Sequence, residues 1–350
     1  MPRPTLQDVA ARAGVSTATV DRVLHAREGV SERSRERVQA AVHDLGFGRL
    51  EGVALPTGRG PLRFAFLLPE GESGFTRSLL DAIGRSPAAL TDVEVLPDVR
   101  RLPMGGGRAV IDALDALDPA EVDGVALFSG DTPGVRQAID AAIERGVAVV
   151  TLVTDIPGSR RRHYVGIDNF AAGRVAATLT GRFAGPRRGP VAMIAGGPRQ
   201  RDQLERQLGF EGVIAERFGH LEVLPLLHGD TRPDTNRGIA VELLRSHPDL
   251  VGIYSLSAGN ASLLQGLDDA ARAAGRRASA ARRPLLVAHE LSPAVREALI
   301  DGRVDAVIAQ DVDHIARSAV RVLRAHCLGL PIVGSQERIR IDVHFADNLP

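Results

Sequence analysis

The chain has 350 residues, 44% of them hydrophobic and 25% charged, with 43 basic and 43 acidic side chains. That length exceeds one ordinary core and suits two or three domains, while a zero net charge argues against a protein that coats nucleic acid without selectivity. Cys327 is the single cysteine, which excludes an internal disulfide and a cysteine-based metal cluster.

Helical patterning begins at once. Leu6, Val9, Ala10 and Ala13 recur at helical spacing, and Gly14 ends the run. Ser16 is suited to cap a second helix, because its hydroxyl can accept a backbone N–H that has no partner in the helix. In that helix Val20, Val23 and Leu24 form an apolar stripe, and Thr17, Ala18, Asp21, Arg22 and His25 fall on the opposite face. Ser31 or Ser34 caps a third helix with Val38, Ala41, Val42 and Leu45 facing inward and Gly46 at its end. A helix, a Gly-containing turn and a second helix at this spacing make a helix-turn-helix, whose second helix enters a DNA major groove. Small Thr17 and Ala18 allow close approach, and Arg22 can reach guanine O6 and N7 as a bidentate donor. Ser16, Ser31 and Ser34 are placed to hold phosphates, which fixes register without reading sequence. The alternative is a three-helix bundle with no ligand. The first 50 residues carry eight Arg against six Asp and Glu, so DNA binding would rest on geometry and on pairing two subunits more than on bulk field. No lysine occurs anywhere, which a GC-rich coding sequence explains without any function.

Residues 48–61, GRLEGVALPTGRGP, read as a linker by their glycines and prolines. From 62 onward apolar strands alternate with amphipathic helices, the signature of parallel α/β structure. Strands are expected at 63–69, 93–97, 124–128 and 147–152, with helices at 76–84, 107–117 and 134–145. Arg160, Arg161 and Arg162 read as a solvated face. The pattern then restarts: YVGID at 164–168 leads to a helix at 169–184, capped by Asp168 and Asn169. Strands at 190–195, 221–227, 250–256, 284–288, 305–310 and 338–343 alternate with helices at 202–218, 235–246, 260–274, 292–301 and 312–328. The result is two similar α/β units, each of a size that folds alone.

Two such lobes offer a cleft beyond the carboxyl ends of their strands. Strand ends bring Ser73, Phe75, Phe128, Ser129, Asp131, Thr154 and Asp155 to it from the first unit. The second contributes Arg201, Asp202, Arg206, Ser257, Asn260, His289, Glu290 and Gln310. Carboxylates, amides and Arg suit a polyhydroxyl ligand, because each hydroxyl both donates and accepts. Aromatics total 3% and Trp is absent, which limits stacking on a sugar ring.

The stretch TLQDVAARAGVSTATVDRVL at 5–24, with Val30-Ser31 and LGF at 45–47, resembles the headpiece of the lactose-repressor (LacI/GalR) family. Thr5, which opens the motif, joins the DNA-contacting set on that resemblance. Two positions depart from it: Asp21 stands where the family has Ser, and His25 where it has Asn. Asp21 would be repelled by phosphate but could accept from cytosine N4, so an unusual operator is expected. In the family the linker forms a hinge helix that wedges a leucine into the minor groove. Leu55 is the candidate wedge, although Gly52, Pro56 and a missing Pro-Asn pair weaken that expectation. The body is similar to the type I periplasmic sugar-binding fold, most clearly at VGIDNFAAGR (165–174), ERQLGF (205–210), HPDLVGIY (247–254), AHEL (288–291) and DGRVDAVIAQD (301–311).

The resemblance implies a helix-turn-helix headpiece at 1–47, a hinge at 48–61 and an effector and dimerisation domain at 62–350. It splits that domain into lobes of 62–162 plus 300–326 and 163–299 plus 327–350. The family's ligand-binding Asp is displaced towards Asp155, Leu204 takes the place of its Arg before Gly209-Phe210, and Ser257-Ala258 replaces its Asn-Asp pair.

The implied protein is a ligand-responsive transcription regulator. It would act as a homodimer on a near-palindromic duplex, take a sugar, polyol or sugar acid as effector, and need no cofactor or metal. Met1-Pro2-Arg3-Pro4 followed by a polar helix lacks a secretory core, and no apolar run reaches membrane-span length, so a cytoplasmic protein is expected. No phosphate loop, dinucleotide fingerprint, nucleophile elbow or zinc helix appears. Gly105-Gly106-Gly107 reads as a turn, and His289-Glu290 as a hydrogen-bonding pair rather than an acid–base pair. A cytoplasmic sugar-binding protein or α/β enzyme is the alternative.

Overall fold

The computed structural model describes the chain except for residues 1–4, 25–28, 46–59, 72, 87–92, 104–106, 197–199, 231, 258 and 274–282. It divides into two compact units, Met1–Gly60 and Pro61–Pro350.

The first unit holds helices α1 (Leu6–Ala13), α2 (Thr17–Leu24) and α3 (Glu32–Leu45). Val9, Ala10, Ala13, Val20, Val38 and Ala41 form its core. Gly14 ends α1 at φ 61°, a left-handed conformation that costs a Cβ-bearing residue energy. A side chain there would also overlap the Arg37 guanidinium, whose Nη2 donates to the Gly14 carbonyl at 3.2 Å. Arg37 thus ties α3 to the turn that sets the angle between α1 and α2. His25 and Leu55 lie outside the described residues.

The second unit holds two sheets. The first has the order β2-β1-β3-β4-β5, built from β1 (Leu62–Pro69), β2 (Val95–Leu102), β3 (Gly124–Leu127), β4 (Ala148–Leu152) and β5 (His163–Val165). All its pairs are parallel. Helices α4 (Gly74–Arg85), α5 (Arg108–Asp115) and α6 (Pro133–Glu144) connect the strands. The second sheet has the order β12-β11-β10-β9-β6-β7, with β8 also paired to β6. Its strands are β6 (Gly189–Ala195), β7 (Leu221–Val223), β8 (Leu227–His228), β9 (Gly252–Ser255), β10 (Leu285–His289), β11 (Ala306–Ala309) and β12 (Asp342–His344). Its helices are α7 (Asn169–Ala184), α8 (Arg201–Arg217), α9 (Pro233–Ser246), α10 (Asn260–Ala273) and α11 (Pro293–Ile300). From β7 to β11 the second sheet repeats the order of the first, so both lobes present matching strand ends.

Several boundaries differ from the sequence reading. The strand at 306–309 belongs to the second sheet, where β11 pairs with β10, and His163–Val165 closes the first sheet against β4. The chain therefore crosses back after 309, not at 300. Only α12 (Val312–Leu328) returns to the first lobe, where it packs on α4, β3 and β4. The stretch 221–227 breaks into β7 and β8 around Pro225, which lacks an N–H to pair. The last strand is confined to Asp342–His344 and runs antiparallel to β11. Before it, α13 (Gly334–Glu337) turns Glu337 inward to meet Arg321 of α12 at 2.9 Å. One core runs through both lobes, from Phe64 and Phe66 to Phe210 and Tyr254. Separate clusters cover the outer faces of the two sheets.

Candidate functional site

The headpiece presents Thr17, Ala18 and Arg22 to solvent, with Asp21 half-buried beside them. The polar residues around this face also cap helices. Thr5 and Asp8 form a reciprocal capping box at α1, with the Thr5 N–H donating to Asp8 Oδ2 at 2.6 Å. Those bonds hold the Asp8 carboxyl below its ordinary value. Ser16 Oγ accepts the Thr19 N–H at 3.1 Å. Ser31, not Ser34, caps α3, accepting the Ser34 N–H at 3.3 Å.

In the larger unit, helix starts and strand ends converge between the lobes. Arg206 on α8 is the hub and is only 3% exposed. Its Nε donates to Asn169 Oδ1 at 2.9 Å and its Nη1 to the Leu256 carbonyl at 2.6 Å, while its Nη2 lies 3.9 Å from Asp202 Oδ2. Asn169 Nδ2 in turn donates to the Val153 carbonyl at 3.3 Å. The Asp202 N–H donates to Thr154 Oγ1 at 3.3 Å, joining the second lobe to the first. Val153 and Glu290 are the non-glycine residues at positive φ among those described, at 65° and 69°. They follow β4 and β10, the matching strands of the two lobes. Backbone held this way is costly, above all for a β-branched residue such as Val153. The Tyr164 hydroxyl, 2.9 Å from the Val153 carbonyl, helps to fix it.

His289 is fully buried, with Nε2 2.7 Å from the Tyr254 hydroxyl. Burial, then Arg206, holds its pKa well below the ordinary value, so the ring is neutral. Asn260 Nδ2 donates to the carbonyls of His289 (2.9 Å) and Ser257 (3.2 Å). Gln310 Nε2 donates to Glu290 Oε1 at 3.0 Å. Burial pushes the Glu290 carboxyl up to about 7, against the pull of Arg206 and the bond from Gln310. Burial also raises Asp202, with Arg206 opposing. Among the described residues, four buried atoms here lack a hydrogen-bond partner: Asp202 Oδ1, Asn260 Oδ1, His289 Nδ1 and Gln310 Oε1. An unpaired buried polar atom costs roughly 1–3 kcal/mol, so their gathering marks a place built to be completed by something else.

The structure spends other expected residues differently. Ser73 caps α4, accepting the Thr76 N–H at 3.1 Å, and Phe75 and Phe128 pack on the core. Ser129 Oγ donates to the Gly130 carbonyl. Asp155 accepts from Arg161 through both oxygens, from Thr151 Oγ1 at 3.0 Å and from its neighbour's N–H at 2.7 Å. Arg161 is therefore an internal clamp, not part of a solvated face. Asp131 is held by Arg136 at 2.5 and 2.8 Å and lies 3.7 Å from Arg201, which pairs with Glu205 at 2.8 Å. Ser257 Oγ accepts from Gln203 Nε2 at 3.3 Å. Leu204 is exposed, and Arg206, three residues before Gly209, is the arginine that reaches the cleft.

Sequence reasoning missed Asn169, Gln203, Tyr164 and Tyr254. Asp168 caps α7 by itself, accepting the Ala171 N–H at 2.8 Å, which frees Asn169 to turn inward. The tyrosines carried a usable signal: the chain has two, and both belong to this network.

Residues 5–49 match the model of bacterial regulatory proteins of the lacI family, and residues 108–331 that of a periplasmic binding protein domain. The regulator CelR of Thermobifida fusca is 31% identical over 282 residues, covering 73% of this chain and 74% of that protein. The regulator MalR of Streptomyces coelicolor is 30% identical over 218 residues, 61% of this chain. The match spans 60% of MalR's own length, and other curated relatives are covered to a similar extent. Among solved structures, GanP, a glucose-galactose binding protein from Geobacillus stearothermophilus, superposes with a TM-score of 0.71 at 20% identity. That match covers 83% of this chain and all of GanP.

Proposed function

This chain belongs to the lacI family of bacterial regulatory proteins, and we propose that it is a sequence-specific transcriptional regulator, acting as a repressor. Its operator affinity is set by a small polar effector bound between the two lobes of residues 62–350. Residues 1–47 serve as headpiece and 48–61 as hinge. The observation that carries the reading is a wet Thr17–Ala18–Arg22 face in the same chain as a cleft whose buried polar atoms await partners.

Two subunits pair through the larger units and set two headpieces on the half-sites of a near-palindrome. Thr17, Ala18, Asp21, Arg22 and His25 face base edges. Thr5, Ser16, Ser31 and Ser34 hold backbone phosphates through hydroxyls and helix-end N–H groups, and Leu55 enters the minor groove. Effector contacts come from Thr154, Asp202, Arg206, Asn260, His289, Glu290 and Gln310. Ser73, Phe75, Phe128, Asp131, Asp155, Arg201 and Ser257 shape the wall around them. A ligand shifts the operator equilibrium only by its difference in affinity between two lobe arrangements. No helix among the described residues is long and apolar enough to cross a membrane, which fits work on DNA in the cytoplasm.

The test is a gel shift with DNA from upstream of the chain's own gene, with and without a panel of sugars and polyols. Sequence-selective retardation that a panel member changes is the expected result. Retardation of every duplex alike, or of none under any ligand, counts against the reading.

A further inference from the structure

Resting on the reading of the cleft as the effector site, we propose that it is built for an uncharged polyhydroxyl ligand and against the acid or phosphate ester of the same ligand. The atoms without partners are mostly acceptors. Asn260 Nδ2 donates to two carbonyls and Gln310 Nε2 to a carboxylate, which fixes both amides with their oxygens free. Asp202 Oδ1 is a third acceptor without a donor. The side chains of Asp202, Asn260 and Gln310 are each at least nine-tenths buried. Hydroxyl groups supply donors to all three, whereas a carboxylate or phosphate dianion brings acceptors only. The fourth atom, His289 Nδ1, donates or accepts according to tautomer and meets a hydroxyl either way.

Charge points the same way. Among the described residues, Arg206 is the cation at the centre, near the carboxyls of Asp202 and Glu290, and it is already bonded to Asn169 and Leu256. Around the rim, among the described residues, Arg136 and Arg201 are taken up by Asp131 and Glu205, and Arg161 by Asp155. Among the described residues, an entering anion meets two carboxyls and cations that already have carboxylate or carbonyl partners. The start of α8, where helix N–H groups would welcome an anion, carries Asp202 in its first turn. The chain's own carboxyl occupies the place that a ligand's acid group would seek.

The experiment is calorimetric titration and thermal melting of the full chain at about pH 8, where Glu290 is largely ionised. The probes are matched sets: D-glucose with D-gluconate and glucose 6-phosphate, D-galactose with D-galactonate, D-arabinose with D-arabinonate, and myo-inositol with its monophosphate. At least one neutral member is expected to bind, with its acid or phosphate tenfold weaker or more. Asp202→Asn and, independently, Glu290→Gln should narrow that ratio several-fold. An acid that binds as tightly as its neutral parent overturns the proposal, as does the absence of binding by every neutral member at millimolar concentration. Charge discrimination that persists in a chain with no operator shift would sink the regulator reading and leave this one standing.

Discussion

Arg206 holds together groups that otherwise have no reason to meet. Replacing it with Met keeps much of the volume but strips Asn169 Oδ1 and the Leu256 carbonyl of donors and leaves Asp202 without a cation. Breaking a buried charge contact from one side costs roughly 3–5 kcal/mol, so Arg206→Met should lower the urea midpoint of the larger unit by that equivalent. A loss below about 1 kcal/mol would mean that Arg206 is a passenger. Glu290 gives a pH signature. Its carboxyl stands near 7 in the folded chain against an ordinary 4.5, so folding retains a proton that the unfolded chain releases above 4.5. This contribution to stability is full below that point, declines as pH rises towards 7 and is then gone. Glu290→Gln should flatten the stability profile between about pH 5 and 7; an unchanged slope would assign it to other groups. In the headpiece, Arg22→Ala should remove roughly 1–3 kcal/mol of discrimination at one base position without touching effector affinity. Equal weakening on all duplexes would place Arg22 on phosphate.

Helices α7 and α8 deliver Asn169, Asp202 and Arg206 together because two glycines let their backbones touch. A Cβ on Gly173 would overlap the Arg206 carbonyl oxygen, and one on Gly209 the Phe170 carbonyl oxygen. Backbone cannot swing aside as a flexible side chain can, so Gly173→Ala must part the helices. Overpacking of this kind costs typically 1–3 kcal/mol, and effector affinity should fall with the melting temperature. A variant that melts lower yet binds normally would separate packing from the site. At this scale most of the fold was legible, since apolar runs such as RFAFLLP and the amphipathic helices declare their own period. The misreadings share a cause: pairing partners are not local. The strand β2 runs on through Asp98, Arg100 and Arg101, which look like loop residues but lie on an exposed sheet edge. The strand β11, expected in the first lobe with 300–326, belongs to the second because its partner is β10. Site residues at strand ends were legible because parallel sheets place them there. Asn169 and Tyr254 were not, because a capping motif and a buried strand each explained them adequately.

For the whole molecule, the measurable claim is reciprocity. If effector and operator each favour one arrangement of the same chain, the factor by which effector changes operator affinity must equal the factor by which operator changes effector affinity. That equality holds whether the ligand releases the protein from DNA or recruits it, so it can be tested before the sign is known. Effector titrations of the intact chain, alone and with saturating operator duplex, should differ by the same factor that effector produces in the gel shift, typically 5–150-fold. A scrambled duplex should produce no difference. A chain in which both ligands bind well and neither alters the other would still contain a headpiece and a cleft, but they would be two independent binding modules rather than a switch. A trace of coupling that disappears in Arg206→Met would place its path in the network running from Asp202 and Arg206 through Asn169 to Val153, where the two lobes are joined by hydrogen bonds.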